Sequence, residues 1–173
     1  MSGRPARPLL VALVTLAAAL LARRWVVVPI VIASGSMSPT LPVGQRLFQD
    51  RLTYLFRGPR RGEIIAFRNP VGEDHESIKR VIAVAGDTVE LRRKRVWLNG
   101  APLHESYTRY TRPDELLAGD DLGLLRVPEG ALFVLGDNRD ESNDSASWRD
   151  PATGGRIYFL KTSDVTGKVR GAY

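Results

Sequence analysis

The chain has no cysteine among its 173 residues. That excludes disulfide staples, a thiol nucleophile and thiolate-bound zinc. Histidine is nearly as scarce. His75 and His104 are the only two, too few and too isolated for a metal centre, and each reads as a loop or surface residue. No internal repeat or low-complexity segment stands out. Acidic residues are missing from the first 24 positions, which hold Arg4, Arg7, Arg23 and Arg24, so +4 of the formal net charge of +6 sits there. Basic flanks on a membrane segment, rather than a nucleic-acid surface, account for that imbalance.

The apolar run 9–22 is broken only by Thr15. As a helix it is about 21 Å long, short of the roughly 30 Å hydrocarbon core of a bilayer. Arg7 and the Arg23-Arg24 pair extend the usable span by snorkelling, and Trp25 suits an interface. The same features fit a cleavable signal peptide, with small residues near 18–22. Two arginines on each side leave the orientation undecided.

Beyond this segment the chain has the length of one ordinary domain. Residues 25–33 are rich in β-branched side chains and read as a strand, confined by Pro29 to an edge or a bulge. Further strands are expected over 45–49, 63–68, 77–84, 131–135 and 165–171. Residues 87–91 and 95–98 form a hairpin, and Asn99-Gly100 turns the chain into 101–103. Residues 104–127 read as an excursion from the sheet, with a short helical turn near 113–117. The basic residues 92–95 read as a solvated hairpin tip, and Arg57, Arg60 and Arg61 as a solvated turn. The expected fold is a mainly β, antiparallel domain behind one N-terminal helix. Residues 1–8 form a short N-terminus, 9–26 a transmembrane anchor and 27–173 the β-rich domain.

Chemistry concentrates in three stretches. In Val31-Ile-Ala-Ser-Gly-Ser-Met-Ser-Pro-Thr-Leu41, Gly35 gives the backbone freedom beside Ser36, and Pro39 fixes the far side. A hydroxyl at such a corner is open to a substrate. A serine is a poor nucleophile until a base takes its proton. With no convincing histidine, the available base is Lys79, set in the apolar run Ile78-Lys-Arg-Val-Ile82. An exposed lysine titrates near 10.4; lowering it to about 7–8 takes about 4 kcal/mol of differential destabilisation, which apolar burial supplies. Strand alternation puts Lys79 on one face with Val81 and Arg80 on the other with Ile78. The third stretch is the polar loop Gly136-Asp-Asn-Arg-Asp-Glu-Ser-Asn-Asp-Ser145, after the apolar 131–135.

Taken in order, Ser34–Leu41, Arg61–Phe67, Ile78–Val81 with Gly86-Asp87, and Gly136–Asp140 resemble the blocks of the bacterial type I signal peptidases, membrane-bound serine proteases that remove signal peptides from exported proteins. The resemblance implies Ser36 as nucleophile, Lys79 as general base, and an oxyanion hole from the Ser36 N–H and the Ser34 hydroxyl. It implies Ser142 as the group orienting the amine, with Asp144, Asp137 and Arg80 in a supporting network. Ile32, Leu41 and Ile78 would line shallow pockets for small residues one and three positions before the cut. The resemblance favours a retained anchor over a cleaved leader and places the β-domain on the extracytoplasmic face of the cell membrane. It implies preprotein signal peptides and the lipid bilayer as partners, without cofactor, metal or nucleic acid. The chain departs from the family where Asp144-Ser145-Ala146 stands for a common Asp-Ser-Arg; Arg139 or Arg149 is the candidate replacement partner for Asp144. Two rival readings are a self-cleaving repressor-type protease, for which no DNA-binding module is visible, and a catalytically silent membrane-tethered β-domain that binds exported partners. Met37 is a candidate for an apolar rim facing lipid.

Overall fold

The structure, a computed structural model, describes residues 6–72 and 75–172. Helix α1 (Ala6–Val26) leads directly into strand β1 (Val27–Val31), so Trp25 and Val26 end the helix rather than start the strand. A 14-residue apolar run leaves α1 short: among the described residues no helix is long and apolar enough to cross a membrane. Helix α1 occupies the stretch where the 9–26 anchor was expected, and its apolar side chains Leu9, Leu10, Val11, Leu13, Val14 and Leu16 are all more than half exposed.

The rest is β-structure, in two antiparallel sheets. The larger has seven strands in the order β1, β2 (Arg46–Asp50), β11 (Val165–Ala172), β3 (Ile64–Arg68), β4 (Glu76–Val84), β9 (Ala131–Leu135), β10 (Leu160–Lys161). Pro29 lies in β1, at the edge, where a missing N–H breaks no central ladder. The smaller sheet runs β7 (Ala101–Pro102), β6 (Arg95–Leu98), β5 (Thr88–Arg92), β8 (Leu122–Arg126). Asn99 and Gly100 take φ of 52° and 81°, the left-handed pair that a two-residue hairpin turn demands.

Three apolar clusters fill the domain. Phe133 and Leu135 of the larger sheet meet Val89, Leu91, Val96 and Leu122 of the smaller one. Ile65, Phe67, Val81, Val134 and Trp148 form a second cluster. Ile32, Met37, Leu41, Leu47, Ala66 and Val169 form the third, beneath the turn that carries Ser36. Met37 is 1% exposed, so it belongs to that core and forms no lipid-facing rim.

Several local expectations change. The segment 104–127 contains β8, and the helical turn expected near 113–117 is a single hydrogen-bonded turn at Pro113-Asp114, closed by the Glu115 N–H on the Arg112 carbonyl (3.2 Å). A four-residue helix, α2 (Thr53–Phe56), occupies a place where no helix was expected. The hairpin tip is only partly solvated: Lys94 is buried and donates to Asp140 Oδ1 (2.5 Å) and the Arg112 carbonyl (2.7 Å), because the 104–121 excursion folds over it. The basic turn is also tied down. Arg57 pairs with Glu63 (2.6 Å), and the Arg61 guanidinium pairs with Asp87.

Glu63 sets an acid limit on stability. Burial alone would raise its carboxyl, but donors on Arg57, Lys168, the Arg60 N–H and Tyr54 outweigh burial and bring it from near 4.5 to about 2. A carboxyl depressed in the folded state stabilises the fold above its unfolded value and loses that contribution as pH falls from about 4.5 towards 2. The contribution at neutral pH is about 3 kcal/mol. Urea unfolding of Glu63→Gln is expected to show a loss of about that size at pH 7, shrinking towards zero near pH 2. An equal loss at both pH values would mean the carboxylate charge is not involved.

Candidate active site

The chain leaves β1 and closes a 3₁₀ turn over Gly35–Met37, with Ser36 and Met37 buried. The Met37 side chain plugs the third cluster, which holds the turn down. From the other side, the loop after β9 clamps it: the Asn138 N–H donates to the Ser36 carbonyl (3.0 Å) and Asn138 Nδ2 to the Gly35 carbonyl (3.2 Å). The Ser36 hydroxyl is thereby fixed by backbone contacts at both the turn and its neighbour.

Lys79 comes from β4, opposite Ile65 of β3. Only 5% exposed, it extends its amine to Ser36, where Nζ donates to Oγ at 2.9 Å. This contact joins residues 43 apart in sequence and meets the distance requirement for a nucleophile and its base. Alternation along β4 sends Arg80 elsewhere. Its Nε and Nη2 donate to the two oxygens of Asp137 (2.9 and 2.6 Å), Nη1 donates to the Gly62 carbonyl (2.9 Å), and Tyr107 stacks on it with its ring centre 3.9 Å from Cζ.

Ser34 is exposed, with its hydroxyl 3.2 Å from that of Ser36. A cleft of about 120 Å³ opens beside the pair, lined by Val31, Ile32, Ala33, Ser34 and Ile78 together with Ser36 and Lys79. Ile32 and Ile78, the expected pocket residues, both line this cleft. Leu41 does not line this cleft; it packs behind Ile32 in the third cluster.

The polar loop departs furthest from expectation. Asp144 is buried, and its carboxylate accepts from the Gly136 N–H (2.9 Å) and the Ala146 N–H (3.0 Å). Burial pushes this carboxyl up, against those two donors and the nearby charge of Lys79. Neither expected arginine forms a hydrogen bond with it. Arg139 pairs with Glu105 at 2.5 Å, and Arg149 donates to the Gly154 carbonyl at 3.1 Å. The Ser142 hydroxyl was expected on the lysine amine. It lies close enough to Asp144 to lower that carboxyl, yet it aligns a hydrogen bond with no partner among the described residues. Ser142 sits against Gly136, beside the Ser36 carbonyl.

Gly136 is the residue that sequence reading passed over. A Cβ there would lie 2.3 Å from Ser142 Oγ and 2.6 Å from the Ser36 carbonyl oxygen. By contrast a Cβ on Gly35, in the turn itself, would meet nothing nearer than Ser38 Oγ at 4.0 Å. The need for glycine thus sits at the close approach of β9 to the turn. Gly136→Ala is expected to cost about 1–3 kcal/mol of stability by overpacking and to lower kcat about 100-fold by displacing Ser36. Gly35→Ala should do far less. Parallel assays with thermal melts compare the two; a harmless Gly136→Ala would mean the clamp is not rigid. Asn138 was also missed as a contact, although it stood inside a quoted block.

Comparison with known proteins gives the family. The family model for signal peptidase, peptidase S26, matches residues 6–173. A probable signal peptidase I-1 from Synechocystis sp. is 43% identical over 143 residues, covering 79% of this chain and 70% of that protein. Signal peptidase I P from Bacillus subtilis subsp. natto is 36% identical over 131 residues, 73% of this chain and 70% of that one. Signal peptidase I from Pseudomonas aeruginosa is 34% identical, and the match spans 59% of its length. The crystal structure of a signal peptidase I from Enterococcus faecalis V583 is 32% identical, covering 66% of this chain and 98% of that one with a TM-score of 0.48. A family match running through the helix and both sheets, with relatives this similar, leads to one assignment: the chain belongs to the signal peptidase family, peptidase S26, as a serine endopeptidase of the type I signal peptidases.

Proposed function

We propose that the chain is a membrane-attached endopeptidase that cuts signal peptides from exported preproteins, with Ser36 as nucleophile and Lys79 as general base. The observation that carries this reading is the 2.9 Å contact between two buried groups, Lys79 Nζ and Ser36 Oγ. With the amine neutral, the same contact runs in the other sense, and the Ser36 O–H donates to the Nζ lone pair. Lys79 takes that proton as Oγ attacks the scissile carbonyl. The Ser36 N–H and the Ser34 hydroxyl stabilise the oxyanion; Lys79 then returns the proton to the leaving amine. Water, activated by the same amine, releases the acyl group. The Ile32, Ala33 and Ile78 walls leave a shallow cleft, which suits small side chains before the cut. Asp137 and Arg80 brace the loop that clamps Ser36, and Asp144 with Ser142 stands behind the lysine.

Attachment to the membrane is assigned to α1. Its described apolar side chains have no protein cover, an arrangement that suits lipid. Leu55 and Phe56 of α2 are also 73% and 84% exposed, and the Arg51 N–H just before α2 donates to the Val26 carbonyl at the end of α1. Catalysis on the extracytoplasmic face places the cleft where signal peptides emerge, and confinement there raises their effective concentration.

The test is incubation of the detergent-solubilised chain with a precursor bearing a signal peptide, with the new N-terminus read by mass spectrometry. One cut after a small residue is expected, from protein recovered in alkali-resistant membranes. Uncut precursor held in a stable complex would replace the protease reading with that of a binding domain, and recovery in the soluble fraction would remove the membrane assignment.

A further inference from the structure

A cavity of about 70 Å³ lies within the loop that follows β9, lined by Arg139, Asp140, Ser142, Asp144 and Ala146 together with Lys94. Two buried polar atoms at its wall have no hydrogen-bond partner among the described residues, Arg139 Nη1 and Ser142 Oγ. The Arg139 side chain is 5% exposed. Two of its nitrogens are engaged, Nε with the Gly136 carbonyl (3.1 Å) and Nη2 with Glu105 (2.5 Å), which leaves Nη1 without a hydrogen-bond partner among the described residues. Asp144 lines the same cavity, and Arg139 feels its charge. A polar space of this size takes about two waters at their ~30 Å³ share of the liquid, and a buried N–H and hydroxyl are the partners such waters need.

We propose that Arg139 is a positioning residue for the Ser36–Lys79 pair, acting across this cavity through ordered water on Ser142 and Asp144. Ala146, which also lines the cavity, has no side chain beyond its Cβ to fill it. The Lys94 amine is held by Asp140 and the Arg112 carbonyl, while the Arg139 guanidinium lies within electrostatic reach of Asp144. The arrangement makes a defined demand: a guanidinium must reach the cavity, and the wall from which it comes is secondary.

The inference rests on Ser36 and Lys79 acting as nucleophile and base. Its test uses the full chain in detergent, with kcat and KM measured on a precursor peptide and with thermal melts. Arg139→Ala is expected to lower kcat at least 30-fold with KM within threefold. Adding Ala146→Arg to that variant, which delivers a guanidinium from another lining position, is expected to restore kcat at least tenfold. Glu105→Gln, which weakens the ion pair and leaves Nη1 in place, is expected to stay within threefold of wild type. If Arg139→Ala does not fold, Arg139→Gln keeps most of the bulk and carries the same expectation. Retention of kcat within threefold in the Arg139 variant, no gain from Ala146→Arg, or an equal loss in Glu105→Gln would each overturn the proposal. Wild-type cleavage by Ser36→Ala in the same assay would instead overturn the nucleophile assignment beneath it.

Discussion

Ser36→Ala and Lys79→Ala are each expected to lower kcat/KM by at least about 1,000-fold, and the double variant is expected to fall no further than either single one. Neither half works alone. A hydroxyl without its base stays protonated, and an amine without its hydroxyl has nothing to activate. The 2.9 Å contact makes them one unit, so their losses do not add. The same reasoning fixes the pH response. Only the neutral amine accepts a proton, so activity must rise with pH through the lysine's ionisation. Lys79→Arg keeps a charge that cannot be shed and should be inactive. Lys79→His, if residually active, should move that limb towards an imidazole's range near 6.5. The measurement is kcat/KM across pH for wild type and the five variants, with folding checked by circular dichroism. A Lys79→Ala enzyme within tenfold of wild type, or a limb that stays put in Lys79→His, would remove the lysine from the mechanism.

The two ends of this contact were legible in the sequence for different reasons. Ser36 stood out because a hydroxyl sat between glycine and proline at the end of an apolar run, and the structure places it in a tight turn after β1. Lys79 stood out because its neighbours are β-branched, and strand alternation then separated it from Arg80. Alternation holds only as far as Val81, since β4 shifts register against β9 before Ala83, and both Ile82 and Ala83 turn into one cluster. The strands themselves were legible wherever a period of two or a turn pair marked them. β8 was not, because Leu122-Gly-Leu-Leu-Arg126 has a glycine and no clean alternation.

The second shell was less legible, because its geometry depends on chain segments far apart. Nothing local to Lys94 says that residues 104–121 will cover it and bring Asp140 to 2.5 Å. Nothing local to Gly136 says that the Ser36 carbonyl will sit where a Cβ would go. Residue type gave the inventory of polar groups in 136–145, but not which would meet. Asp137 meets Arg80, Arg139 pairs with Glu105, and Ser142 lies beside Asp144. Burial converts such differences into energy, since an unpaired group in a dry loop has no solvent to fall back on.

Asp137→Ala is therefore expected to destabilise the fold by about 3–5 kcal/mol, a large share of the roughly 5–15 kcal/mol typical of a domain. The carboxylate is 1% exposed and takes two bonds from Arg80, whose side chain is 11% exposed. Removing it strands a guanidinium that keeps only the Gly62 carbonyl and the face of Tyr107. Asp137→Asn keeps an acceptor but loses the charge and should cost less. Replacing both partners by apolar residues, as in Arg80→Met with Asp137→Leu, should recover a good part of the stability, because no charge is then left buried. Activity should not recover with it. Asp137 precedes Asn138, whose N–H and amide hold the Ser36 turn, and a repacked loop has no reason to keep that clamp in place. Urea unfolding and precursor cleavage on the same four proteins separate the two effects. A loss below about 1 kcal/mol in Asp137→Ala would show that the pair is screened, and full activity in the apolar double variant would show that the clamp does not depend on it.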